Sequence, residues 1–220
     1  MNSFNPQWDD IYASGRGYAK YPYDLLVTLF NRLYGHIPRK ARIEMNILDL
    51  GCGVGNNMSF LINEGFDVFG FDGSEQAIQN ARARLGLCIG KRLLIGDFLR
   101  LPYPREFFHC AVDRSSIYAN TTENIVKIIK QVRRVLRTGG IFISFMYSVN
   151  DPDASGSFTE DSKFYKTSTA HFTTQAEIHG LFAGFEIMHI SQHSCWEVEH
   201  TASVSLMPKY DEFIIIARKG

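Results

Sequence analysis

The chain has 220 residues, 45% of them hydrophobic, with 23 basic and 23 acidic side chains and no net charge. That length supports one substantial core and is short for two ordinary domains, and the charge balance gives no electrostatic reason to expect nucleic acid or an anionic membrane as a partner. Cys52, Cys88, Cys110 and Cys195 form no C-x-x-C pair and no stretch approaches the roughly 20 apolar residues of a membrane span, so a single domain over 1–220 with free thiols in the cytoplasm is expected.

Residues 1–23 are polar, dense in aromatics, and end at Pro22 just before the first helical pattern, which suits an aromatic arm or lid. Residues 24–34 carry Leu25, Leu26, Leu29, Phe30 and Leu33 at helical spacing, and Gly35 with Pro38 beyond marks the stop. Short apolar runs at 46–50, 67–71, 92–95, 109–113 and 141–145 then alternate with helical patterns at 56–63, 75–85 and 122–136. Ser74 is placed to cap the second of these helices, and Gly139-Gly140 to close the third. A polar crossing over 150–172 follows, then Thr174 and Glu177 as a capping box for a helix reaching Phe182, and strands at 185–192 and 212–218. Strand and helix in alternation predict an α/β fold, a Rossmann-like three-layer αβα sandwich around a mostly parallel seven-stranded sheet.

The chemistry is concentrated at residues 46–57, NILDLGCGVGNN. A buried strand containing an acid runs into three alternating glycines and a helix start. Gly51, Gly53 and Gly55 let the backbone bend sharply and approach a ligand, while the amides of the following helix start face it. The spacing is G-x-G-x-G, Asn56 stands where a dinucleotide fingerprint, G-x-G-x-x-G, needs its third glycine, and Asp49 precedes the first glycine by two residues. A carboxylate there repels a pyrophosphate and suits the ammonium and sulfonium of S-adenosylmethionine. Cys52, Asn56 and Asn57 belong to the same turn and join the candidate set. Asp72 ends the second strand about twenty residues on, where a carboxylate can accept both ribose hydroxyls.

These motifs resemble the class I S-adenosylmethionine-dependent methyltransferases, over residues 25–220. The resemblance implies an antiparallel last strand and S-adenosyl-L-methionine as cofactor, with S-adenosyl-L-homocysteine as its product. It makes Asp72 the ribose acid and matches Gly96-Asp97-Phe98 to the adenine site, Asp97 accepting the amino group and the adjoining backbone amide meeting a ring nitrogen. The run VRRVLRTGGIFISF at 132–145 looks like the family's helix, Gly-Gly turn and fifth strand. One departure is Gly73, where the family carries an apolar side chain against adenine. Phe98, Ile117 or an aromatic from the N-terminus is then left to supply that face.

On the acceptor side, residues 108–120 place Asp113, Arg114, Ser115 and Ser116 just past the central strand, at the topological switch point. The Asp-Arg-Ser-Ser run is similar to the Asp-Arg-small pattern of thiopurine-type methyltransferases; the competing reading is a loop-fixing ion pair. Asp113 and Gly73 complete the candidate cofactor set. In-line methyl displacement depends mainly on positioning and desolvation. His171, Tyr118 and Arg114 are the catalytic candidates, His171 because it lies between the polar crossing and a capped helix; the alternative is a surface or capping histidine. His193 and Tyr147 are further proton acceptors, and Tyr18, Tyr21, Arg114, Tyr118, Tyr147 and His171 are the substrate candidates, Tyr12 being another of the arm's aromatics. His189, His193, Cys195 and His200 show no recognised ligand pattern, so no metal is expected. Lys127, Lys130, Arg133, Arg134 and Arg137 read as a solvated helix face. The expected partner is a small-molecule nucleophile acting through O, N or S, with a monomer or homodimer as the assembly. A non-catalytic S-adenosylmethionine-binding regulatory module is the second class of function; an NAD-dependent oxidoreductase is disfavoured by the glycine spacing.

Overall fold

The computed structural model describes residues 3–15, 18–86, 91–155, 169–200 and 204–220; Cys88 and positions 156–168 of the polar crossing lie outside the described residues. The strands are β1 (Asn46–Leu50), β2 (Asp67–Asp72), β3 (Leu93–Ile95), β4 (Phe108–Arg114), β5 (Leu136–Tyr147), β6 (Phe185–His200) and β7 (Val204–Lys219), in one sheet of order β3-β2-β1-β4-β5-β7-β6. The pairs β1 with β2, β1 with β4, β2 with β3 and β4 with β5 are parallel, while β7 runs antiparallel to both β5 and β6.

Strands covered on both faces are mostly apolar, and their alternate residues feed two cores. Leu48, Leu50, Phe71, Ala111, Phe142 and Met146 pack on the side of α5 (Thr122–Val135) and α6 (Gln175–Leu181). Ile47, Val68, Cys110, Val112, Ile143 and Phe145 pack on the side of α2 (Asp24–Tyr34), α3 (Asn56–Asn63) and α4 (Glu75–Leu85). In α5 the buried positions are Ile125, Ile128, Ile129, Val132 and Val135, the three- and four-residue spacing of a helix with one face on a sheet. In α2 the buried stripe is Leu26, Phe30 and Tyr34, with Leu25, Leu29 and Leu33 partly covered beside it. The caps form as their sequence predicts: the Ser74 hydroxyl accepts from the Ala77 amide, and Thr174 and Glu177 exchange both bonds of a capping box.

Four elements differ from the sequence pattern. The aromatic N-terminal segment contains a helix, α1 (Gln7–Ala13), whose only buried residue is Ile11; so short a helix gives little periodicity, and it is held by contacts to α4. Strand β5 begins at Leu136, before the glycine pair, with Gly139 at φ 78° and a register shift against β4 between Phe108 and Cys110. Strands β6 and β7 have 16 residues each, about twice the expected length. Strand β5 pairs with β7 only from Glu212 to Arg218, so the hairpin projects past the sheet from the Ser194 and Asp211 pair outward. An antiparallel hairpin satisfies its own backbone ladder there, and Pro208 hides the pattern in the sequence. No helix among the described residues is long and apolar enough to cross a membrane.

Candidate active site

The carboxyl ends of β1, β2 and β4 converge on the glycine bend. Gly51 at φ 73° donates its amide to the Phe71 carbonyl at 2.7 Å, so the bend folds back over the end of β2. Gly53 at φ 51° turns its amide onto Asp72 Oδ2 at 2.9 Å. A side chain at either glycine would be strained and obstructed: a Cβ at Gly51 would meet Ser116 Oγ at 1.9 Å, and one at Gly53 the Tyr12 hydroxyl at 2.8 Å. The bend therefore faces the acid of the neighbouring strand, with Tyr12 and Ser116 lying against it.

Three carboxylates are buried behind this turn. Asp49 is 1% exposed, and its Oδ2 has no hydrogen-bond partner among the described residues. Burial, then the charges of Asp72 and Asp113, push it from 3.8 up to about 7. Asp72 is also raised by burial, against the opposing pull of its amide bonds, Ser74 N on Oδ1 and Gly53 N on Oδ2, both at 2.9 Å. Each oxygen keeps a lone pair for a further donor. Asp113, fully buried and pushed up by burial to about 6, accepts from the amides of Ser116 and Ile117 and from the Ser144 hydroxyl at 2.7 Å, and so fixes the loop after β4. A cluster of buried acids with an unpartnered oxygen suits a cationic ligand. Asp49 and Asp113 line neither of the two cavities at this edge.

One cavity, about 110 Å³, is bordered by Asp72, Gly73, Gly96, Phe98 and the N-terminal residues Ser3, Phe4 and Trp8. Asp97 Oδ1 accepts from the amides of Ser3 and Leu99 and from the Ser3 hydroxyl, and Ser3 Oγ in turn accepts from the Phe98 amide at 3.2 Å. A Cβ at Gly73 would lie 2.2 Å from the Phe4 ring, so the aromatic that fills the missing side chain's place comes from the N-terminus. The other cavity, about 560 Å³, is walled by Trp8, Tyr12, Tyr23, Tyr118 and Tyr147, with Tyr18 and Tyr21 at 56% and 72% exposure on it as well; Cys52, Gly53, Asn56 and Asn57 border it from the bend. Asn57 Oδ1 accepts from the Tyr23 amide and Asn56 Nδ2 donates to the Tyr21 carbonyl, tying α3 to the approach of α2.

Arg114 lines both cavities. Its guanidinium lies 4.0 Å over the Tyr23 ring and 3.3 Å from Glu212 of β7, which is fully buried and accepts from the Tyr23 hydroxyl. Burial disfavours the arginine charge, and Glu212 with the surrounding tyrosines more than restores it. Tyr118 and Tyr147 meet edge to face at 4.7 Å. His171 stands apart from both cavities, with Nδ1 3.2 Å from the Thr122 hydroxyl and Nε2 3.6 Å from Glu177. Phe4, Trp8 and Tyr23 belong to the aromatic arm expected over 1–23, though the sequence singles out none of them, and Ser3 and Glu212 are absent from the sequence-derived set. No motif marks Ser3 or Glu212, because each reaches the site by tertiary packing.

The sequence model of a methyltransferase-domain family matches residues 42–186. A sterol 4-C-methyltransferase of Caenorhabditis elegans is 29% identical over 142 residues, covering 61% of this chain and 40% of that protein. A tRNA (carboxymethyluridine(34)-5-O)-methyltransferase of Arabidopsis thaliana is 29% identical over 110 residues, covering 50% of this chain and 26% of that protein. The chain thus spans two fifths or less of these curated relatives. The structure of the 1,6-didemethyltoxoflavin N1-methyltransferase of Burkholderia thailandensis, which holds its substrate and S-adenosylhomocysteine, superposes with a TM-score of 0.64 at 17% identity over 97% of this chain and 85% of that one. A structure concerned with conversion of a disulfide bond into a thioacetal group in echinomycin biosynthesis gives 0.69 at 19% identity over 98% and 93%. With the family match over most of the sheet, the glycine bend facing Asp72 and the orphaned acid behind it, the chain belongs to the class I S-adenosylmethionine-dependent methyltransferases.

Proposed function

We propose that the protein transfers the methyl group of S-adenosylmethionine to an O, N or S nucleophile of a small molecule. The observation that carries the reading is the unpartnered Asp49 carboxylate behind a glycine bend that borders a 560 Å³ aromatic cavity. That volume falls within the roughly 300–1,000 Å³ of small-molecule sites, and the zero net charge offers no field for a polyanion. Asp49 would favour the cofactor's ammonium by its charge, Asp72 would accept the ribose hydroxyls, and Asp97 with the Phe98 amide would read adenine. The bound cofactor supplies an electrophilic methyl group on a sulfonium. Tyr12, Tyr23, Tyr118 and Tyr147 offer the acceptor an aromatic wall, and Arg114, held by Glu212, would orient the acceptor against it.

Titration calorimetry with S-adenosylhomocysteine tests the cofactor half: wild type binds, and Asp72→Ala binds at least tenfold more weakly. Incubation with methyl-labelled cofactor and a panel of phenols, amines and thiols tests the acceptor half. Binding without transfer to any of them would favour a regulatory module.

A further inference from the structure

We propose that the chain's own N-terminal segment occupies the adenine-reading groups of the cofactor pocket, so that S-adenosylmethionine binds only the fraction of molecules in which Ser3 and Phe4 have withdrawn. The proposal rests on the cofactor reading above.

Contacts at two separate points of the pocket carry it. At Asp97 and Phe98, the Ser3 hydroxyl donates to the carboxylate and accepts from the backbone amide at 3.2 Å, and the Ser3 amide adds a second donor to the same carboxylate oxygen at 3.2 Å. An adenine edge brings the same complementarity, an amino donor beside a ring-nitrogen acceptor, so serine and base compete for one pair of protein groups. At Gly73, the Phe4 ring fills the space a side chain would take, 2.2 Å from where a Cβ would stand. The 110 Å³ left on this side is well below the roughly 300–1,000 Å³ of small-molecule sites, while the neighbouring cavity keeps 560 Å³.

The following helix is anchored independently. Asp9 Oδ1 accepts from the Ser74 hydroxyl at 2.5 Å and from the Gln76 amide at 3.2 Å, at the start of α4. Helix α1, with Asn5 accepting from the amides of Gln7 and Trp8 at its start, can therefore stay docked while Ser3 and Phe4 leave. Apparent affinity for the cofactor is its intrinsic affinity reduced by the withdrawn fraction, and anything that weakens the hold of Ser3 or Phe4 raises it.

Titration calorimetry of S-adenosylhomocysteine into wild type, Ser3→Ala and Gly73→Ala tests this. Ser3→Ala removes both hydroxyl bonds. Gly73→Ala drives a methyl group into the Phe4 ring, at a position whose backbone lies outside the left-handed region, so the alanine fits its own backbone. Each variant is expected to bind roughly 3- to 10-fold more tightly than wild type, the worth of about one net hydrogen bond. In a Trp196→Phe background, Trp8 emission should also shift on saturation with S-adenosylhomocysteine, because Trp8 borders both cavities. Wild-type binding with unchanged or weaker binding in both variants overturns the occlusion and leaves the cofactor reading intact. Absence of binding in all three proteins refutes the cofactor reading and the occlusion with it.

Discussion

Replacing Asp49 by asparagine should make the protein more stable and a poorer cofactor binder. The carboxylate is 1% exposed, lacks a partner at Oδ2, and is held by burial and two neighbouring acids at about 7, against 3.8 for an ordinary aspartate. Between about pH 4 and pH 7 the folded state keeps a proton that the unfolded chain has lost. Wild-type stability therefore falls as pH rises through that window, and the whole penalty stands above pH 7. At about 1.4 kcal/mol per pKa unit, the ionised side chain costs the fold on the order of 4 kcal/mol. Asparagine has nearly the same shape and no charge, and its amide hydrogens face an acidic neighbourhood. Urea unfolding should show Asp49→Asn more stable than wild type by a few kcal/mol at pH 8 and nearly equal to it at pH 4, with a thermal midpoint rise of roughly 2–4 °C per kcal/mol at pH 8. The same variant should bind S-adenosylhomocysteine at least tenfold more weakly at pH 8. A variant no more stable than wild type at pH 8, or equally stabilised at both pH values, would refute the reasoning.

The same acid gives cofactor binding a pH dependence. Protonation of Asp49 removes the charge that favours the ligand's ammonium, so affinity for S-adenosylhomocysteine should be about tenfold lower at pH 6 than at pH 8, and a flat calorimetric profile would contradict it. The Arg114 and Glu212 pair should behave as a unit. Alanine at either position leaves a buried charge without its partner and should lower the unfolding free energy by about 3 kcal/mol, while the double variant loses less than the sum. Additive losses in a denaturation cycle would show that the two side chains do not support each other.

Much of this fold is local information. Glycine punctuation, apolar runs and the helical spacing of α2 and α5 are short-range signals that separately indicate strand or helix, and together imply a parallel sheet because parallel strands need crossovers. The acids at Asp49, Asp72 and Asp97 were legible for the same reason: each sits at or beside the carboxyl edge of a strand, at a fixed distance from the glycine bend. The outward extension of the β6 and β7 hairpin was not, since beyond the Ser194 and Asp211 pair the two strands are paired only with each other and need no alternating apolar face.

What the amino-acid order determined alone is the cradle, because a bend that only glycine adopts and an acid two residues before it lie within a dozen consecutive positions. What closes the cradle was decided in three dimensions. Ser3 bonds across 94 positions to Asp97, and Tyr23 across 189 to Glu212, and no local periodicity registers pairings of that separation. They form because the carboxyl edge of the parallel strands gathers the N-terminal segment, the turn after β3 and the Glu212 end of the β5–β7 pairing, where buried charges and hydrogen-bonding groups take the partners that packing leaves within reach.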